Sequence, residues 1–408
     1  MLPSSGRRRF WRYCFLFVFV YIVSYMTRIN YSAIISEMAA ETGNAASALS
    51  MALTGNAVAY GIGQIICGAL GDRVSPKRMI AVGFAVAVSM NLLIPFCPNA
   101  HMMLAVWCVN GFAQAFMWPP LVRYMTALFS GSEYVRASAW VSYGSSIGTI
   151  LIYLLAPLLI SGLGWRSVFF FSAACGAAML AVWLFLAPTV EEAEVPAAQP
   201  REGLPRRTGF HSPTMLGIML AIVLQGMIRD GVTTWMPSYV SETFGVSRAV
   251  SILSGVVLPI VAIVCFRLSA LLHERLLRNP VLCAAAFFGL ASLTALGLAL
   301  LHGKLAVASV VLSALLTGCI HGVNLMLICM IPPAFRSRGS VSTVSGILNS
   351  CTYVGSAVST YSVALIAEAS GWRAALFVYL AIALLGTVLC LLCVRPWEKT
   401  RVKLMEIE

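Results

Sequence analysis

The chain has 408 residues, of which 60% are hydrophobic and only 10% charged, and its mean hydropathy is +0.88. A soluble protein of this length needs a polar exterior, so the composition excludes both an ordinary globule and a disordered chain. The formal net charge of +12 is carried in short loops, where it reads as a topology signal, and no nucleic-acid partner is expected.

Long unbroken apolar runs also exclude an outer-membrane barrel, whose strands alternate apolar and polar residues. A span needs about 20 apolar residues. In chain order, hydropathy and loop punctuation predict helices over 12–38, 46–70, 78–97, 102–129, 135–161 and 166–187. They continue over 213–240, 247–271, 280–301, 304–332, 339–367 and 372–394. The fold class expected is therefore an all-α membrane protein of twelve transmembrane helices. Of the 27 Lys and Arg residues, 21 fall in the tails and even-numbered connections and 4 in the odd-numbered ones. That bias places both termini in the cytoplasm and the protein in the cell's plasma or inner membrane. The run GRRRFW before the first span has no small-residue cleavage site after it and reads as the start of an uncleaved helix. The twelve cysteines all fall in apolar runs and read as reduced core residues.

The connection over 188–212 is rich in Pro, Ala and charge and reads as a cytoplasmic linker. The organisation expected is a tail over 1–11, a six-helix bundle over 12–187, the linker, a second bundle over 213–394 and a tail over 395–408. The two halves echo each other at a spacing of about 200 residues. GWRSVFFF at 164 returns as GWRAALFV at 371, Arg28 returns as Arg229, Arg136 as Arg338, and Asp72 as Glu274. Six spans per repeat give both halves the same orientation, as in a parallel repeat about the membrane normal.

Arg28 and Arg229 are the sharpest features, each three residues past the midpoint of its predicted span. An arginine at bilayer depth costs about 2.5–3.5 kcal/mol on insertion scales and faces the protein interior with a partner. The spans offer two acids, Glu37 near an end and Asp230 beside Arg229. Asp230 projects about 100° around the helix from Arg229. On that reading it leaves the guanidinium for a small anionic cargo, and phosphate matches guanidinium bidentately. Tyr21, Ser24, Tyr25 and Ser32 share a helical face with Arg28, as do Gln225 and Thr233 with Arg229.

Trp118, Pro119 and Pro120 break the fourth span, and Gln114 just before them is expected to face a cavity. GSSIG at 144–148 and GCIHG at 318–322 are small-residue packing motifs. His321 reads either as a phosphate donor or proton-linked switch, or as a hydrogen-bonded structural histidine. In GALGDRVSPKR, Asp72 reads either as a cap or latch at a neighbouring helix end, or as part of a merely charged loop. Asp72, Arg73, Arg136 and Arg338 form the expected conformational-gating set. No nucleotide-binding loop, metal-binding pair or nucleophile motif occurs, so neither an enzyme nor a bound cofactor or metal is expected.

These residues resemble a known family. GALGDR followed by KR resembles the loop signature of the major facilitator superfamily. Three segments are more specific: Tyr21, Tyr25, Arg28 and Asn30; Gln114, Trp118, Pro119, Pro120 and Arg123; and Arg229, Gly231, Trp235, Pro237 and Tyr239. Together they are similar to the organophosphate:phosphate antiporters, which include glycerol-3-phosphate and hexose-phosphate transporters. The resemblance implies that Arg28 and Arg229 bind phosphate, with Tyr21, Tyr25 and Tyr60 lining the path. It also implies alternating access driven by exchange against phosphate. The chain departs from that pattern at Ile29, Gln64 and Gly144, where family members carry basic residues. Three functions follow as expectations: exchange of a sugar or glycerol phosphate for phosphate; transport of another small anion, such as a dicarboxylate or phosphonate; or a sugar-phosphate sensor that does not transport. A monomer in the lipid bilayer is expected.

Overall fold

The apolar runs become helices because no water in a bilayer core can satisfy a free backbone group. The computed structural model describes residues 4–44, 46–188, 212–246 and 255–405. The first half holds α1 (Ser4–Ala33), α2 (Ile35–Thr42), α3 (Ala46–Gly71), α4 (Pro76–Leu93), α5 (Ala100–Gln114), α6 (Trp118–Leu128), α7 (Gly131–Leu163) and α8 (Arg166–Leu186). The second holds α9 (Pro213–Phe244), α10 (Val257–Arg275), α11 (Pro280–Leu300), α12 (Ala306–Asn324) and α13 (Val341–Met405). The linker expected over 188–212 lies outside the described residues except at its ends, as does the stretch 247–254 that was expected to open the eighth span.

Among the described residues, eleven helices are long and apolar enough to cross a membrane. The twelfth expected span, 339–367, is helical but falls short in hydropathy because Ser, Thr and Asn interrupt it. Exposed large apolar side chains such as Leu158, Leu293 and Leu392 coat the outer helix faces. In water such a surface would aggregate, whereas acyl chains accept it. All twelve cysteines are free.

Several helix boundaries have local causes. The expected break in the fourth span is present. α5 ends at Gln114 and α6 opens at Trp118, with prolines in its first turn, where their missing N–H groups cost nothing. The span expected as one helix over 12–38 is divided at Ile34, where the backbone leaves helical geometry (φ −125°, ψ 14°). Just before it, the Ser32 hydroxyl donates back to the Ile29 carbonyl at 2.8 Å, a bond that bends helices. The tenth span runs past its expected end. After Asn324 it passes through a π-turn at Leu325–Cys329 and a 3₁₀ stretch at Pro332–Arg338, because Pro332 and Pro333 cannot continue the α-ladder.

The chain divides into two compact units. The first comprises Met1–Ala198 with Arg338–Ser350, and the second Gln199–Ser337 with Cys351–Glu408. The opening turns of α13 thus group with the first unit. Within that unit α7 lies directly on α1, because a side chain at Gly144 or Gly148 would collide with the Val18 or Ile22 carbonyl. In the second unit, Gly318 admits Val261 and Cys265 of α10, and Gly322 admits Phe287 of α11. Both small-residue motifs therefore serve helix contact.

The repeated GWR motif folds the same way twice. Gly164 has φ 74° and ψ 170°, and Gly371 has φ 79° and ψ 166°, a region essentially closed to other residues. Each copy is anchored by a glutamate near the end of its half's first long segment. In the first unit, Arg166 binds Glu41 at 2.6 Å. In the second, the Trp372 indole donates to Glu242 at 2.8 Å. Shortly after each glutamate, a left-handed glycine closes the helix, Gly43 (φ 70°) and Gly245 (φ 64°). Replacing Gly164 or Gly371 by Ala is expected to cost about 1–3 kcal/mol from backbone strain. The space around both is open, so a thermal scan of purified protein should show each variant melting several degrees lower, with no gain from added volume.

Candidate functional site

In the first unit the predicted residues converge around Arg28. α1 brings Tyr21, Tyr25 and Arg28 onto neighbouring turns. The guanidinium lies over the Tyr60 ring of α3, 4.1 Å from its centroid, and 5.8 Å from that of Tyr25. Each such contact is worth about 0.5–2 kcal/mol. Tyr21 packs on Tyr25 at 5.2 Å and on Trp118 of α6 at 5.1 Å. Tyr60 is buried, and its hydroxyl accepts from the Asn349 amide at 3.4 Å. The structure thus gathers Tyr21, Tyr25, Arg28, Tyr60 and Trp118 into one aromatic cradle. Arg28 lies five residues before the end of α1, whereas Arg229 lies near the middle of α9. Arg28 stands 15 residues before Gly43, and Arg229 stands 16 before Gly245, the glycines that close each half's first segment.

Gln114 is different. It was expected to face the cavity, yet it is 1% exposed. Its carbonyl accepts from the Ser24 hydroxyl at 2.7 Å, and its amide donates to the Thr27 hydroxyl at 2.9 Å. Both ends are spent on α1, so Gln114 locks two helices and does not line a path. Gln225 is equally buried, and its carbonyl accepts from Thr352 at 3.2 Å. Thr233 is exposed, and its hydroxyl donates to the Arg229 carbonyl of its own helix at 2.7 Å.

Arg229 requires a larger correction. It does not stand apart from Asp230. Its Nε donates to Oδ1 at 2.6 Å and its Nη2 to Oδ2 at 2.9 Å, a bidentate ion pair. The 100° separation holds at the backbone, but the arginine stem is long enough to fold its head back onto the next residue. Around this pair the second unit places Tyr353, whose ring lies 5.8 Å below the guanidinium, and Ser356, which hydrogen-bonds the carboxylate. His321 interacts electrostatically with both charges and packs against Phe266 at 5.2 Å.

The expected gating residues have separate local settings. Asp72, 7% exposed, accepts from the backbone N–H groups of Ser342 and Thr343, each at 2.8 Å. It therefore caps the start of α13. Burial pushes its carboxyl up from the ordinary range, while these bonds and the nearby Arg123 pull it back. Arg123 donates to the carbonyls of Gly71 and Val74, pinning the same loop. Arg73 and Arg338 are exposed. Arg136 bonds Ser132 on its own first turn, with both contacts at 3.2 Å.

Sequence reasoning missed Asn349, Thr352, Tyr353 and Ser356. They recur at the spacing of one helical face, a signal that was present in the sequence.

With this geometry, the chain belongs to the Major Facilitator Superfamily, whose family model matches residues 17–360. A glycerol-3-phosphate transporter of Bacillus subtilis (strain 168) is 27% identical over 57% of this chain and 58% of that protein. The membrane sensor protein UhpC of Escherichia coli (strain K12) is 24% identical over 59% of this chain and 60% of its own length. A probable hexose phosphate transport protein of Chlamydia muridarum (strain MoPn / Nigg) is 26% identical over 40% of this chain and 36% of that protein. The chain thus spans less than two thirds of each of these relatives. Among solved structures, the superfamily transporter FucP in the outward conformation aligns with a TM-score of 0.72 at 12% identity, over 93% of this chain and 98% of that one. The proton:xylose symporter XylE aligns at 0.74 and 13%, over 95% of each. Both share the fold.

Two substitutions separate packing from ligand contact. Gln114→Leu leaves the buried Ser24 hydroxyl without its acceptor and removes the amide that donates to Thr27, and should cost about 1–3 kcal/mol, read as a lower melting temperature with anion affinity kept. Asp72→Ala removes a buried cap and should cost about 1–2 kcal/mol, read by the same scan.

Proposed function

We propose that the protein is a secondary transporter that exchanges a small organophosphate, of the sugar or glycerol phosphate type, for inorganic phosphate by alternating access. The six-helix halves over 12–187 and 213–394 are its two working bodies. Arg28 and Arg229, one from each half, are the residues that recognise the anion, with Tyr21, Tyr25, Tyr60 and Trp118 beside Arg28. The protein acts in the plasma or inner membrane with both termini in the cytoplasm, in line with its loop charges.

The observation that carries this reading is the Arg28 cradle. Rings at 4.1 and 5.8 Å hold a permanent cation within an apolar helix bundle. Guanidinium suits a tetrahedral oxyanion because its planar fork matches two oxygens at once. The names of the relatives, a glycerol-3-phosphate transporter and a hexose phosphate transport protein, point to the same ligand chemistry. A second reading, a sensor that binds a sugar phosphate without moving it, is favoured by the match to a membrane sensor protein.

Vesicles reconstituted with the protein and loaded with phosphate should take up labelled phosphate. Arg28→Lys and Arg229→Lys should each reduce exchange at least about tenfold, because lysine keeps the charge but loses the fork. Full exchange in both variants would refute the site. Binding without exchange in the wild type would favour the sensor. Competition by sugar phosphates, dicarboxylates and phosphonates ranks the cargo.

A further inference from the structure

Arg229 carries an anion of its own. Two of its donors already face the Asp230 carboxylate at 2.6 and 2.9 Å, and the two side chains are 14% and 25% exposed. The surroundings of the pair in the second unit are polar on two sides. From α13, Ser356 hydrogen-bonds the carboxylate, Tyr353 lies beneath the guanidinium, and Tyr379 packs against Gly231. From α12, His321 interacts with both charges. From α10, Phe266 reaches only the histidine ring. The titratable groups around Asp230 are therefore Arg229, His321, Tyr353 and Tyr379.

An incoming oxyanion that uses Arg229 must share the guanidinium with this carboxylate. Two anions on one cation repel, and the repulsion is strong where little water screens it. A proton removes the conflict: Asp230 takes up one H⁺ and becomes a neutral carboxylic acid, while Arg229 keeps its charge and turns its fork to the ligand. Neither phosphate nor arginine has to change its charge for this to occur.

The geometry points to Asp230 as a proton-binding site linked to the anion site, so that anion and proton bind the second unit together. This rests on the reading that Arg229 recognises the anion, and it adds a control that the reading lacks. By linkage, the factor by which a proton tightens anion binding equals the factor by which the anion tightens proton binding. The sign follows. Where Asp230 is ionised without ligand and protonated with it, anion affinity falls as pH rises, by up to about tenfold per pH unit.

The test measures the phosphate dissociation constant of the purified full chain from pH 5 to 8, in the wild type, Asp230→Asn and His321→Gln. Phosphate itself ionises in this range, so the informative quantity is the ratio of wild-type to Asp230→Asn constants, in which the ligand's own titration cancels. The ratio should rise with pH, approaching about tenfold per unit, and His321→Gln should follow the wild type. A constant ratio, with phosphate still bound, overturns the coupling and leaves the anion site standing. A ratio of wild-type to His321→Gln constants that rises with pH, while the wild-type to Asp230→Asn ratio stays constant, also overturns it, by moving the proton to the histidine. No phosphate binding by the wild type at any pH removes the anion site, and the coupling with it. Should Asp230→Asn fail to fold, infrared difference spectra of the wild type decide alone. Adding phosphate should bring up the stretching band of a protonated carboxyl, and its absence overturns the proposal.

Discussion

A charge held among apolar helices must be solvated by the protein itself, and that constraint organises both units. Water would stabilise a guanidinium with a shell of oriented dipoles. Here the protein supplies aromatic faces in both units and, at Arg229, an adjacent carboxylate. Arg28 sits over Tyr60 and Tyr25, whereas Arg229 is clamped by Asp230. A ring quadrupole orients a cation without adding a negative charge. An adjacent carboxylate adds one, and any second anion must contend with it.

The repeat itself is a matter of backbone geometry more than of side-chain chemistry. Gly164 and Gly371 adopt nearly the same positive-φ conformation, and each stands at the head of a Trp-Arg pair tied to a glutamate, Glu41 or Glu242. The partner atoms differ, since one copy uses the arginine and the other the tryptophan. What persists is the demand for a residue without a Cβ at the turn and for a carboxylate opposite it. Close glycine contacts, such as Gly144 on Val18 and Gly148 on Ile22, add a second backbone constraint within the first unit.

Most of the fold was legible because hydropathy, prolines and glycines act locally. The break before Trp118 and the turn at Gly371 follow from Pro and Gly chemistry that any sequence shows. The division at Ile34 was hidden, since no Pro or Gly marks it and its visible correlate is a serine bonding back along the helix. The site was legible in part. Tyr21 and Tyr25 lie at helical spacing from Arg28, while Tyr60 was reached only through family resemblance. Gln114 was misread for a physical reason: a polar stripe on an apolar helix marks either a wet cavity or a buried hydrogen bond to the next helix, and periodicity does not distinguish them. Asp230 was misread because the angle between Cβ directions says little about where a long flexible side chain ends.

The opening of α13 shows the same ambiguity resolved the other way. Its Ser, Thr and Asn residues lower its hydropathy, which is why the stretch 341–364 reads poorly as a membrane helix. Several of its polar groups have work within their own unit. The N–H groups of Ser342 and Thr343 are held by Asp72, Asn349 donates to Tyr60, and Thr352 donates to Gln225. A helix start left bare among apolar neighbours would hold several unsatisfied donors, each costing about 1–3 kcal/mol. A buried carboxylate meets two of them and complements the positive end of the helix dipole. Part of the polar character of this stretch, at Asn349 and Thr352, thus serves hydrogen bonds to neighbouring helices. Those duties explain why a span absent from a hydropathy count is nonetheless a continuous helix from Val341 to the bend at Gly371.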